Sequence, residues 1–137
     1  MNLSRLITDN VTELLIKIIR FTRARQKILT RNINDIHCAG FVPKDLAVDE
    51  FSDLMNLAAD EYIRSRRLVL CDTENVKFGA AGSLEVKPVL DGYARELLEE
   101  NQDEYIELQI NKLMENSLNQ RIAAELFRQK QETIKQI

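Results

Sequence analysis

The chain has no tryptophan, one histidine, two prolines, two cysteines and four glycines among 137 residues. So little Pro and Gly leaves few turns, which argues against a many-stranded sandwich or barrel and favours long helices. Cys38 and Cys71 lie 33 positions apart, cannot build a disulfide framework and match no short metal or redox spacing, so both are read as free thiols. His37, alone, excludes a multi-histidine metal site. Its neighbour Cys38 is a poor nucleophile partner, because adjacent residues on a helix or strand do not face one another. Both are expected as ordinary polar and small buried residues in a helix-ending turn, and no enzyme, cofactor or metal site is expected. The longest apolar run, Leu14 to Ile19, is interrupted by Lys17, whereas roughly 20 apolar residues are needed to cross a bilayer. No direct membrane insertion is expected. Arg5, Asp9 and Glu13 also stand where a signal peptide would carry an uncharged core.

What is present is 45% hydrophobic and 30% charged with a net charge of -3, the profile of one ordered domain with a modest core. Apolar residues at Ile7, Val11, Leu14, Ile18, Phe21, Ile28, Ile33 and Ile36 wind one stripe along a helix expected from about Leu3 to Ile36. A second helix is expected from Gly92 to near Ile137. Its apolar side carries Leu98, Ile106, Ile110, Leu113, Met114, Leu118, Ile122, Leu126 and Phe127. At about 65 Å it far exceeds the radius of gyration of about 14 Å for a globule of this size, so it needs a partner along its length, either the first helix or other subunits. Between them, Asp45 to about Arg67 reads as a shorter helix with Phe51, Leu54, Met55, Ala58 and Tyr62 on one face. Leu68 to Cys71, Val76 to Phe78 and Leu84 to Val86 are short β-compatible pieces around turn residues, giving a small hairpin or mobile loop. Gly79 to Ser83 lacks the Lys of a phosphate loop.

Charge is uneven. Residues 1–36 carry +4, residues 37–90 carry -3 and residues 91–137 carry -4. Packing within the chain or between subunits is expected to set Arg20, Arg23, Arg25, Lys27 and Arg31 near Glu96, Glu99, Glu100, Asp103, Glu104 and Glu107, fixing orientation and partner choice. The acidic pairs read as a solvated helix surface rather than as catalytic carboxylates. The basic stripe lacks helix-turn-helix spacing and aromatic stacking platforms, and no nucleic-acid partner is expected.

The stretch Gln26 to Leu46 resembles the N-terminal signature of the bacterial flagellar basal-body rod proteins, in particular those of the proximal rod. In that family a long helix ends in Asn-Ile-Ala-Asn, a turn ending in Thr-Pro-Gly-Tyr follows, and a basic-Asp-Leu or basic-Asp-Ile group precedes a Phe. Asn32, Ile33, Gly40, Phe41, Lys44, Asp45 and Leu46 fall on the matching positions, with Phe51 near the family's Phe. Asp35, Cys38 and Ala39 depart from it. Near the other end, Glu115-Asn116-Ser117-Leu118 is similar to the family's Glu-Asn-Ser-Leu.

The resemblance implies a mainly α, single rod-type domain over 1–137. Its N-terminal helix (1–36) and C-terminal helix (91–137) would pack as a coiled-coil pair around a middle segment (37–90) of short helix and hairpin or loop. It implies a structural subunit of the proximal rod, linking the inner-membrane ring to the distal rod. Its partners would be other rod subunits and the membrane-ring adaptor, with self-assembly into a helical rod. It also implies export through the flagellar type III apparatus, without a cleaved signal peptide, to the periplasmic part of the basal body. Asn116 is then expected to be enclosed in the polymer, pairing with the N-terminal helix near Asn32, and Gly40 to take a positive φ. In the isolated chain, Leu15, Ile19, Leu29 and Met114 are expected to be partly uncovered. The alternative is a cytoplasmic helical adaptor or regulator that binds an acidic partner or nucleic acid through its basic first helix.

Overall fold

The computed structural model describes residues 3–79 and 83–136, with side chains over 10–79 and 83–133. The centre of the Gly79 to Ser83 turn, 80–82, lies outside the described residues, as do both chain ends. The fold is mainly helical. Helix α1 spans Leu3–Asn34, strand β1 Lys44–Asp45, helix α2 Val48–Ser65, strands β2 to β4 Val76–Phe78, Leu84–Val86 and Val89–Leu90, helix α3 Gly92–Glu100 and helix α4 Gln102–Gln136.

The two long helices, α1 and α4, lie side by side and antiparallel. Asn32 near the end of α1 meets Tyr105 and Gln109 early in α4, and Thr22 further back in α1 meets Asn116. The other flank of α1 builds the apolar core. Phe21 stacks on Phe51 of α2 with ring centroids 4.0 Å apart and planes 8° from parallel, a geometry that adds to simple area burial. Leu46, Leu54, Met55 and Val76 complete this core, and the hairpin lies over it. In the hairpin β2 and β3 pair antiparallel, with Val76 opposite Val86 and Phe78 opposite Leu84. Buried Lys17 anchors the hairpin's turn by donating from Nζ to the Ser83 carbonyl at 3.0 Å, and it pairs with Glu13 at 3.1 Å.

Several boundaries differ from the sequence expectation. Helix α1 ends at Asn34, and His37 and Cys38 in the following turn are exposed rather than buried. Lys44 and Asp45 do not start the middle helix. They pair as β1 with Leu90 and Val89, so α2 begins three residues later, with Asp49 and Glu50 in its first turn at the positive end of its dipole. Arg66 ends α2 in the left-handed region at φ 60 and donates its amide to Tyr62. Leu68 to Cys71 form no strand.

The C-terminal helix is not continuous. Asn101 is extended, donates its amide to Leu97 at 2.7 Å, and accepts the Glu104 amide on Oδ1 at 3.2 Å. It thus caps α4 while ending α3. Asn does this because its side chain competes with the helical backbone for hydrogen bonds. The Asn-x-x-Glu spacing is a local start signal, but the apolar periodicity running across it masked the break. Leu15 and Leu29 are buried within the chain, while Met114 is 66% exposed.

Gly40 has φ 74, the left-handed value that lets the chain reverse between α1 and β1. A Cβ there would meet no atom within 4 Å, so backbone strain alone decides a substitution. Gly40→Ala is expected to cost about 1 kcal/mol and Gly40→Val more, because the left-handed region costs an L-residue roughly 1–2 kcal/mol. Gly40→Asn should cost least. Urea denaturation of the three variants tests this ranking, and a neutral Gly40→Val would refute it.

Candidate assembly interface

The face that α4 turns towards α1 is polar. Tyr105, Gln109, Lys112 and Asn116 recur at steps of four, three and four, which places them on one stripe. Tyr105, Gln109 and Asn116 are buried, and Lys112 is half-buried. Facing them on α1 are Thr22, Arg25, Leu29 and Asn32 at the same kind of spacing, all buried. The pair is therefore a heptad-spaced seam in which side-chain hydrogen bonds replace most of the usual apolar knobs.

Asp45 is the centre of this seam. Its Oδ1 accepts from Arg25 Nε at 2.9 Å and from the Leu46 amide at 2.7 Å, and its Oδ2 accepts from Arg25 Nη2 at 3.1 Å and Lys112 Nζ at 3.0 Å. Lys112 Nζ also donates to Asp91 Oδ2 at 2.7 Å, while Asp91 Oδ1 caps α3 at the Ala94 amide. Burial pushes the Asp45 carboxyl up, but the hydrogen bonds and charges of Arg25 and Lys112 outweigh it and hold the group below the ordinary Asp value. Burial likewise pulls Lys112 down, and Asp91 and Asp45 more than reverse that.

Next along the seam, Asn32 Nδ2 donates to the Lys44 carbonyl at 2.7 Å and to Gln109 Oε1 at 3.0 Å, while its Oδ1 accepts the Lys44 amide at 3.2 Å. The Asn amide thus holds β1 as a neighbouring strand would. The Tyr105 hydroxyl donates to the Asn32 carbonyl at 2.6 Å. Burial, and then the Asp91 charge, push its pKa up to about 12. Asn116 Nδ2 donates to the Thr22 carbonyl at 2.7 Å.

The opposite side of α4 exposes apolar residues from Ile110 to Leu118, and the row then winds round towards α1 and α2. Ile110, Met114, Leu118, Ile122 and Leu126 follow one another at steps of four and are 45%, 66%, 55%, 51% and 45% exposed. At 100° per residue, Met114 lies about 180° from Tyr105 around the helix. The row ends at a groove of about 330 Å³ between α1, α2 and α4, where Ile122 and Leu126 face Leu15, Ile18, Phe51 and Met55. The row is a contiguous exposed apolar surface on a helix whose other side is a polar seam.

Of the residues singled out in the sequence, Asn32, Asp45 and Leu46 are buried together around β1. Lys44 joins them through its backbone, its side chain being exposed. Ile33 and Phe41 are half-buried, and Gly40 and Ser117 are exposed. Leu118 belongs to the apolar row. Asn116 is enclosed as expected, but within the single chain and against Thr22, ten residues away from Asn32. Arg25 is no part of an exposed basic stripe, since it turns inward to Asp45. Among the described residues no ion pair joins α1 to the acidic residues of 96–107. Asp91, Tyr105, Gln109 and Lys112 escaped sequence reading, although the steps linking Tyr105 to Asn116 are a visible heptad signal. No family model matches the chain, and neither does any curated protein or solved structure.

Removing one partner of the Asp45 centre strands a buried charge, so Asp45→Ala is expected to destabilise by about 3 kcal/mol or more, with the Arg25→Met/Asp45→Leu double variant closer to neutral. Thermal melts of the three proteins check this. The pH dependence has two limbs. Asp45, with its pKa lowered on folding, contributes stability above its ordinary value of 3.8 that is lost as pH falls below it. Tyr105 and Lys112, with pKa values raised on folding, contribute stability below their ordinary values of 10.0 and 10.5 that is lost as pH rises past them. Asp45→Asn should flatten the acid limb and also weaken the Lys112 part of the alkaline limb, whereas Tyr105→Phe should reduce the alkaline limb and leave the acid limb unchanged. Asn116→Asp should destabilise by at least about 2 kcal/mol by setting a carboxylate against the Thr22 carbonyl, while Asn116→Leu costs less than about 1 kcal/mol. Similar melting temperatures for these two variants would refute the assigned hydrogen bond.

Proposed function

We propose that the chain is a structural, non-enzymatic subunit that polymerises, and that the polymer is the proximal rod of a bacterial flagellar basal body. The observation that carries this reading is the inverted α4, with polar residues turned into the protomer and the Ile110 to Leu126 row turned out. A chain selected to act alone gains nothing from that arrangement, whereas a polymer buries the row between neighbours by heterologous contacts. The resemblance supplies the identity of the polymer. Its two signatures come from opposite ends of the chain, and Asn32, Asp45 and Asn116 are members of one seam between the terminal helices. The described helices include none long and apolar enough to cross a membrane, so the reading places the subunit against the ring adaptor and other rod subunits rather than in the bilayer. It would reach the periplasmic part of the basal body by uncleaved type III export.

Deletion of the coding sequence in the source organism should abolish swimming, and a tagged chain should label isolated basal bodies in electron micrographs. Met114→Glu with Leu118→Glu should leave the circular dichroism melt of the isolated protein unchanged while failing to restore swimming. Full motility of the deletion strain, or full rescue by that variant, would overturn the reading.

A further inference from the structure

Two charged faces are without an ion-pair partner among the described residues. On α1, Arg20, Arg23, Lys27 and Arg31 step by three, four and four, so they lie along one straight stripe, and all four are exposed. Among the described residues none of them is in an ion pair. Like charges at these spacings oppose helix formation by about 0.2–0.5 kcal/mol per pair, and among the described residues no carboxylate pairs with them. At the α3–α4 junction, Glu100, Asp103 and Glu107 are also exposed and also without a cation among the described residues. Asp103 serves the first turn of α4, and Arg31 the last turn of α1, but neither service accounts for Glu107, Arg23 or Lys27.

We propose that the basic stripe of α1 docks on the acidic α3–α4 junction of a second copy of this chain. The charges are complementary, they belong to the same chain, and among the described residues no ion pair joins them within it. A contact between different faces of identical chains is heterologous, so each copy that binds one neighbour still offers its other face to the next, and the assembly grows as a ring or filament. This rests on the assembly reading above and names the face that sets polarity. The apolar row supplies non-directional burial, and the charged pair decides which end of one subunit meets which end of the next.

Full-length wild-type protein examined by analytical ultracentrifugation should self-associate, and raising NaCl from about 50 mM to about 500 mM should weaken the association about tenfold, since the Debye length falls well below the span of the stripe. Two charge-reversal variants sharpen the test. Arg23→Glu/Lys27→Glu takes the stripe from +4 to no net charge and leaves the junction acidic, whereas Glu100→Lys/Glu107→Lys takes the junction from -3 to +1 and leaves the stripe basic. Each alone should be monomeric with an unchanged melting temperature, and an equimolar mixture should recover association. The contact is overturned if the wild type stays monomeric at low salt, if either variant associates alone like the wild type, or if the mixture does not recover. It is equally overturned if a 30-base-pair DNA duplex binds the wild type at about 100 mM NaCl and loses that binding in Arg23→Glu/Lys27→Glu, because the stripe would then serve nucleic acid. Association that ignores salt and charge reversal but disappears in the Met114→Glu/Leu118→Glu variant would sink this contact and leave the assembly reading standing.

Discussion

The buried carboxylate of Asp45 is the constraint on which the rest of the molecule depends. It belongs to a two-residue strand that has little stability of its own, yet it receives Arg25 from α1, Lys112 from α4 and its own neighbour's amide. Through Lys112 it is also tied to Asp91, the residue that caps α3. Four elements are thereby held at one point. Loss of any one charge would strand the others in a poorly solvated place, which makes the junction all-or-none in a way that exposed ion pairs never are.

This choice of a polar seam has consequences for where the apolar residues go. A buried ionic network is weak evidence of stability, but it fixes register, since Asn32 can clasp the Lys44 backbone in only one alignment of α1 with β1. The hydrophobic stabilisation of the protomer comes instead from the other flank of α1, where Phe21 meets Phe51 and the hairpin closes over both. Helix α4 contributes little to that core. Its apolar residues are left to face outward, and the low-lying groove between Ile122, Leu126, Phe51 and Met55 joins the outer row to the inner core. The chain therefore keeps its alignment through polar contacts and leaves the apolar row of α4 exposed.

The secondary structure was largely legible because it depends on local patterning. The absence of interior Pro and Gly, the Phe51 to Tyr62 stripe and the short β-compatible pieces located α1, α2 and the hairpin to within a few residues. Gly40 was legible for the same reason, as a residue whose lack of Cβ suits a left-handed turn. Asn101 was not, although its capping pattern with Glu104 is local too, because the apolar periodicity on both sides runs across the break.

What the sequence determined by itself was therefore the approximate extent of α1, α2 and the hairpin, governed by interactions a few residues long, but not the break between α3 and α4. The inward face of α2 was legible from its apolar stripe, but tertiary structure alone decided which face of α4 points inward. Periodicity put Met114 and Leu118 on the apolar side of that helix while Gln109 and Lys112 passed unnoticed. The reversal arises because Asp45, more than 60 positions before Lys112, brings a charge into the seam that only polar partners can neutralise. Once that charge is buried, solvation demands Arg25 and Lys112 around it, with Asp91 sharing Lys112, and the apolar side of α4 is left for the outer surface. A pairing across such a distance leaves no trace in local spacing, and only the folded chain shows it.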